Sequence, residues 1–563
     1  MRNIFSTIIL TTFTAAMFSG CAKPDAVTPK DANELSDIYG TKTSQGRDRL
    51  FEARYSTAKD TIYFDIPYFY PADSDEETDL TQIILRGTIP TDARLMPSLG
   101  TTMDLSKPFD LVVTSGTGLK KKYVVVGKKV GDNVLRKAVL TFTADGVQQQ
   151  LEGVVQPNND VIFYVVPGVD VSGATISYEI NPHSNASIAT GAAVNLAAGT
   201  QAFTITGVDG VARTYTLKAQ EPVKQPYGIG ITRKLFSKTA AELGFVTHND
   251  VAIAVSGDYL VLCRRLSSGS NYRVYNRFTG AYLQDMHYPF GTQISFQIAE
   301  DNKGRILAAS WAPKNAKFIL YKYNNPMDAS PVKLLEWTNN NPAGITLDGG
   351  VGRRVNIYGD LNGDAVIMAP AGQSTTILRW RIAGGVLVNQ NPEVLIYQSI
   401  TGAAHLGYYA EAQPVSATAN ANYFINYQFE IGYVNGATQS RLAGFVNDAQ
   451  IFGSYHMPTN YTTFNNANYL AILKYTSGVG ANNIARLSLF DVTNTSLLGT
   501  AFNSVVYPSF NVFVSAEELR GDTNPNGTGD VAIGFTENGE RMQIYTLLTN
   551  AGLMGHEFTN YAK

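Results

Sequence analysis

The stretch Tyr259-Leu260-Val261-Leu262-Cys263-Arg264, followed by Tyr272-Arg273-Val274-Tyr275, then Thr279-Gly280 and Ala281-Tyr282-Leu283, decides the reading of the larger part of this chain. Two apolar runs of strand length are split by a polar loop. A Thr-Gly turn then leads into a third run tipped by an aromatic residue. β-Branched and aromatic residues in such runs, punctuated by Gly, Asn, Asp and Ser, mark short strands joined by tight turns.

The same grammar returns downstream. Phe296-Gln297-Ile298-Ala299, Arg305-Ile306-Leu307-Ala308, Phe318-Ile319-Leu320-Tyr321 and Leu334-Leu335-Glu336-Trp337 form a second unit. A third holds Val355–Tyr358, Ala365–Met368, Ile377–Trp380 and Val394–Tyr397; further candidates centre on Tyr423–Asn426, Tyr469–Ile472 and Val531–Gly534. About six units therefore fall between residues 227 and 563, at a spacing of roughly fifty to sixty residues. Radial repetition of four-stranded sheets predicts a β-propeller of six blades, or seven if Ile229–Phe236 pairs with Met554–Phe558 to close the ring. Two further sandwiches with linkers are the competing reading. Lys238–Leu243 is the only stretch of this region with helical flavour.

Upstream, the segment Pro222-Val223-Lys224-Gln225-Pro226 is a stiff polar junction, and before it the sequence is duplicated. Ile62-Tyr63-Phe64-Asp65-Ile66-Pro67 returns as Ile162-Phe163-Tyr164-Val165-Val166-Pro167, and each copy ends in a hairpin whose final strand carries a tyrosine, Tyr123 or Tyr215. Period-two alternation is the mark of half-buried antiparallel strands, and proline stops the first of them by removing a ladder donor. The expectation is two Ig-like β-sandwiches, 59–130 and 131–221, ahead of the propeller at 227–563. The fold class is all-β.

The N-terminus sets the address. Arg2, an uncharged apolar run from Ile4 to Phe18 and small residues leading to Cys21 resemble a bacterial lipoprotein signal peptide over 1–20, with Cys21 as the lipid attachment site; an ordinary secretory signal is the alternative. Residues 21–58 read as a flexible polar tether. No later segment has the run of about 20 apolar residues that spans a bilayer, so lipid would be the membrane anchor.

Composition narrows the functions. The chain has 563 residues, a formal charge of −3, 16% charged and 11% aromatic residues, and two cysteines. No basic stripe marks a nucleic-acid partner, and an acylated Cys21 would leave Cys263 without a disulfide partner. Six histidines form no H-E-x-x-H and no metal pair, and neither a G-x-S-x-G elbow nor a phosphate-binding glycine loop occurs. Cys263, within an apolar strand, reads as a buried inert thiol.

Two loops space oxygen ligands at alternate positions, as a calcium loop begins: Asp360-Leu361-Asn362-Gly363-Asp364 and Asp522 to Asp530. The second offers Asp522, Asn524, Asn526 and Asp530 for a structural calcium, against the plainer reading of an Asx turn. Asp258, Glu300, Asp360 and Asp364 are the carboxylates that a propeller face could gather for glycoside hydrolysis. Trp311, Tyr408, Tyr409 and Tyr455 are the aromatic residues placed to contact a glycan, while Trp337 and Trp380 read as inter-blade packing.

Taken together, the signal, the duplicated I-Y/F-F/Y-x-x-P module, the segment Ile231–Ser237 and the G-D-x-x-G-D of Gly359–Asp364 look like Bacteroidota surface lipoproteins with an Ig-like pair followed by a propeller. The resemblance implies an outer-membrane, surface-exposed protein beside glycan-capture and uptake systems, and supplies no catalytic residues to carry over. The function expected is non-catalytic glycan binding at the outer surface, lipid-anchored through Cys21. A polysaccharide-active hydrolase or lyase and a protein-binding scaffold are the alternatives. An acidic cluster with an aromatic cradle at the propeller's central mouth would favour the enzyme; an aromatic platform would favour binding.

Overall fold

A computed structural model describes residues 28–42, 49–144, 147–340, 347–400, 402–427, 430–446, 458–475, 483–524, 527–536 and 539–562. The signal segment and Cys21 lie outside these residues, as do Tyr455 and Asn526. Among the described residues no helix is long and apolar enough to cross a membrane. The chain divides into two compact units, one carrying the strands before Ala219 and one those after Gln220, with segments 142–150 and 164–173 counted in the second.

In the first unit, eight strands form one sheet that curls on itself around a single core. Thr61–Pro67 runs parallel to Lys120–Val130, with Thr61 opposite Val124 and Pro67 opposite Val130. Alternation puts Ile62, Phe64 and Ile66 inside, against Leu111, Val113 and Val125. The second copy splits into a three-stranded sheet (Val147–Glu152, Lys137–Ala144, Thr175–Glu179) and a five-stranded one that includes Asp160–Tyr164, Ala212–Gln220 and Gln201–Thr206.

The duplication extends to individual hydrogen bonds. The Tyr123 hydroxyl accepts the amide of Leu35 at 3.2 Å, and the Tyr215 hydroxyl accepts that of Leu135 at 2.9 Å. Val124 donates to the Asp60 carbonyl at 2.8 Å, and Thr216 to that of Asn159 at 3.0 Å. Each tyrosine ties the incoming chain of its own copy to its last strand.

Part of the expected tether is structured. Asp37–Lys42 and Phe51–Tyr55 are strands of the first sheet, with Ile38 and Phe51 buried in its core. Asp37–Lys42 carries too little apolar content to announce a strand, and the alternating Phe51–Tyr55 is only five residues long. Asp37–Lys42 is held instead by pairing with Ile83–Thr88 over its whole length, and with Phe51–Tyr55 at Tyr39 and Gly40. Gly40 fits closely there, since a Cβ would sit 3.3 Å from both Ile83 and Phe51.

The second unit is a ring of six blades. Blade 1 comprises Asp250–Ser256, Tyr259–Arg265, Ser270–Asn276 and Tyr282–Met286; blade 2, Ser295–Glu300, Ile306–Ser310, Lys317–Tyr323 and Val332–Thr338. Blades 3, 4 and 5 begin with Asn356–Gly359, Glu411–Pro414 and Thr459–Phe464. Blade 6 comprises Gly529–Phe535, Arg541–Leu548 and Gly552–Thr559, completed by Thr232–Thr239 from the start of the propeller region. That strand pairs Thr232 with Phe558 and Ser237 with Met554. The closing pair is therefore present, but it finishes the sixth sheet instead of adding a seventh, so the count is six.

The first strand of each blade lines the axis, and each abuts the first strand of the next. Asp250–Ser256 is buried throughout, whereas Glu411–Pro414 and Thr459–Phe464 bring polar side chains to the axis. Trp337 of blade 2 and Trp380 of blade 3 meet edge to face, with ring centroids 6.0 Å apart. Lys238–Leu243 is not a helix: the strand runs to Thr239, whose amide and hydroxyl bond the Glu242 carboxylate in a turn.

Candidate functional site

The axis of the ring has two ends: one where the six inner strands start and one where they finish. Between them lies a buried polar spine. Arg354, just ahead of the blade 3 inner strand, is 2% exposed. It donates from Nη1 to Gln297 Oε1 at 2.8 Å and stands 3.7 Å from Glu411 and 3.6 Å from Asp530. Glu411 in turn accepts the amide and hydroxyl of Thr459, both at 2.8 Å. Asp530 accepts the Ile253 amide at 2.9 Å and the Gln297 side chain at 3.1 Å. Burial pushes Asp530 up to about 7, although Arg354 pulls the other way.

Where the strands finish, a cavity of about 610 Å³ opens between blades 1, 2, 3, 5 and 6. Phe278, Tyr358, Tyr461 and Phe535 contribute aromatic walls, and Asn302, Lys303 and Asp258 contribute polar ones. Glu300 lines it too, accepting the Ile533 amide at 2.8 Å and the Asn460 side chain at 3.0 Å. Burial raises the Glu300 carboxyl to about 8, with the nearby Asp530 charge adding to the rise. Of the four carboxylates picked out for hydrolysis, Asp258 and Glu300 share this lining and the other two do not. Asp360 pairs with Arg305 at 2.6 Å and caps the Asn362 amide at 2.7 Å; Asp364 accepts the Gly384 amide at 2.9 Å.

Where the strands start, the structure gathers three of the four expected glycan contacts. Arg353 is the hub. Its guanidinium lies 5.4 Å from the ring of Trp311, 4.7 Å from Tyr408, 5.5 Å from Tyr409 and 4.7 Å from Phe296. Its Nη1 donates to the Tyr409 hydroxyl at 3.0 Å. Phe296 is buried and meets Trp311 edge to face at 5.8 Å, whereas Tyr408 is 40% exposed. Trp311 leaves the second strand of blade 2, Arg353 enters blade 3 and the tyrosines enter blade 4, so three blades converge. Arg353 owes its place to Gly352, whose φ is +97° and where a Cβ would meet the Ser310 carbonyl at 2.2 Å. Neither Arg353 nor Phe296 was singled out from sequence; the run Gly349-Gly350-Val351-Gly352-Arg353-Arg354 before a strand is the signal that marks the first.

Of the calcium candidates, Asn526 lies outside the described residues and the other three have separate surroundings. Asn524 is buried in its own turn, its amide donating to the Thr528 carbonyl at 2.7 Å, Asp522 is exposed, and Asp530 belongs to the spine. Among the described residues no group of three or more His, Cys, Asp or Glu side chains is placed to hold a metal. Cys263 is buried with its thiol pushed up to about 12, and His556 is buried and lowered to about 4, both by desolvation.

A closed ring of six sheets, four of four strands and two of five, defines this unit as a β-propeller. The family described as Domain of unknown function (DUF8500) matches residues 234–558, more than half of the sequence, and the chain belongs to it. A second family, Domain of unknown function (DUF5018), matches residues 16–127. Among solved structures, a DUF4623 family protein from Bacteroides eggerthii is 16% identical, with 76% of this chain and 98% of that chain covered at a TM-score of 0.47. The Cps50 (Swd1) β-propeller domain of Myceliophteria thermophila is 11% identical, covering 57% and 89% at 0.28; the hydrazine synthase of Kuenenia stuttgartiensis is 11% identical, covering 70% and 94% at 0.27. At those TM-scores the likenesses carry no argument about activity or ligand. No curated protein matches the sequence.

Proposed function

We propose that this chain is a lipid-anchored envelope protein that binds a saccharide on the Arg353-centred platform without turning it over. One observation supports the reading above the others: aromatic side chains from separate blades surround a single cation, with Tyr408 left 40% exposed. Aromatic faces offer apolar contact to the C–H side of a sugar ring, while the guanidinium and phenol groups supply hydrogen bonds to its edge. On this reading Cys21 carries the lipid, the outer surface is the address, and an outer-membrane uptake protein is the natural recipient of the ligand.

The test is a glycan-array screen of the polypeptide from Ala22 to Lys563, followed by product analysis on every hit. Binding without cleavage, lost at least tenfold in Tyr408→Ala and Trp311→Ala, supports the proposal; a panel with no binding overturns it. Metabolic labelling with a fatty acid checks the anchor, with Cys21→Ser expected to abolish incorporation.

A second reading has its own observation. Glu300, kept protonated to about pH 8 beside the aromatic walls of a 610 Å³ cavity, has the character of a general acid. Polysaccharide cleavage that disappears in Glu300→Gln would put a hydrolase or lyase in place of the binder.

A further inference from the structure

The platform carries charge that its surroundings do not balance. Elsewhere in the ring, arginines meet carboxylates: Arg264 with Asp250 at 2.7 Å, Arg305 with Asp360 at 2.6 Å, Arg379 with Glu393 at 2.7 Å and Arg441 with Glu430 at 2.8 Å. Arg353 and its neighbour Arg265 form no such pair among the described residues; Arg273, Arg277 and Arg381 form none either, but Arg353 and Arg265 are brought to one ring. Among the described residues Arg353 makes one hydrogen bond, to Tyr409, and no ion pair. Arg265 makes two long bonds from Nη2, to the His248 carbonyl at 3.4 Å and Asn249 Oδ1 at 3.3 Å, and no ion pair. Both guanidinium groups lie over the same ring, that of Phe296, at 5.3 Å for Arg265 and 4.7 Å for Arg353.

Scarcity of acids does not explain this, because the chain has 47 acidic residues against 44 basic ones. The adjacent carboxylates Glu411 and Asp530 are committed to Arg354 and to the backbone and side-chain donors of the spine. Two like charges brought to one aromatic ring repel, and they do so more strongly where the ring has displaced water. An anion between them relieves that repulsion. Guanidinium is planar and presents a fork of N–H groups whose spacing matches the two oxygens of a carboxylate.

We infer that the platform takes an acidic saccharide, whose uronate carboxylate engages Arg353 and Arg265 while its ring lies against Tyr408. The saccharide half of the statement rests on the function proposed above; the carboxylate half rests on the two unbalanced arginines. Selectivity follows from the geometry: a neutral sugar keeps the aromatic contacts and leaves both cations uncompensated.

The experiment uses oligomers of glucuronate, galacturonate and mannuronate, the same oligomers after carboxyl reduction, and sulfated neutral oligomers of equal length, titrated against the Ala22–Lys563 polypeptide. The expected result is a preference of at least tenfold for a uronate oligomer over its reduced counterpart. Arg353→Gln and Arg265→Gln should each cut that preference below threefold, with Arg353→Lys intermediate because it keeps the charge without the fork. Raising salt from about 50 to about 500 mM should weaken uronate binding and spare the reduced oligomer, a reading that needs no variant and so survives if Arg353→Gln fails to fold. Equal affinity for uronate and reduced oligomers overturns this inference and leaves the saccharide reading standing. A sulfated oligomer binding as tightly as the uronate also overturns it, in favour of a sulfate ester. Absence of binding to every oligomer brings down both.

Discussion

Arg353 and Arg354 are consecutive in sequence and opposite in circumstance. Arg354 is buried, bonded to Gln297 and flanked by Glu411 and Asp530; Arg353 is half-buried, stacked on rings and without a carboxylate. One backbone step separates a residue that holds blades together from one available to something outside the molecule. The difference shows that the kind of side chain says little about role in a propeller. Which direction the strand entrance points it, and what stands there already, says nearly everything. The same contrast separates the two ends of the axis: the Glu300 end is an open cavity, the Arg353 end an aromatic platform.

The largest expected effect tests this division directly. Arg354→Ala should cost about 3–5 kcal/mol of stability, because it leaves Glu411 and Asp530 buried without their cation. Arg353→Ala should cost about 1 kcal/mol or less, since it removes stacking contacts at a partly exposed site. Chemical denaturation of the two variants decides the matter, and equal losses would dissolve the distinction.

Next in size is a pH dependence that belongs to the spine and the cavity. Glu300 and Asp530 hold their protons to about pH 8 and about pH 7 when folded, while the unfolded chain releases them near the ordinary carboxylate values of 4.5 and 3.8. Raised folded values mean that this contribution is fully present below about pH 4 and is lost as the pH climbs towards 8. Thermal stability should fall across that window, and Glu300→Gln should flatten the slope. A profile that rises from pH 5 to 8, with no change in Glu300→Gln, would contradict the assignment.

The smallest effect is the most diagnostic. Tyr408→Ala should move stability by no more than about 0.5–1 kcal/mol, given its 40% exposure, yet it should remove saccharide binding. A matching loss of stability would make Tyr408 a packing residue and nothing else.

The blades were legible because their second and third strands carry apolar runs such as Tyr259–Cys263 and Ala365–Met368, and the duplicated module because proline and tyrosine mark the same positions in both copies. Asp37–Lys42 and Phe51–Tyr55 were not: the first is completed by its neighbours and needs little apolar content of its own, and the second is only five residues long. The blade count was ambiguous for a similar reason: pairing between distant segments is visible as two strands, but not which sheet they complete. Trp311 could be picked out because it follows a strand and precedes a proline turn, and Tyr408 and Tyr409 because they cluster beside His405. Their meeting at Arg353 could not, because three blades bring it about and no spacing along the chain records it.

The pairing of Thr232–Thr239 with Gly552–Thr559 works as a buckle on a belt. Ile231 and Thr559, bonded through backbone and side chain, are 328 positions apart, so the last turn of the belt cannot fasten until nearly the whole polypeptide is available. Until then two unsatisfied sheet edges stay open to pairing with other chains. Clipping off the final strand by proteolysis would unfasten the ring at a single place and expose both edges at once.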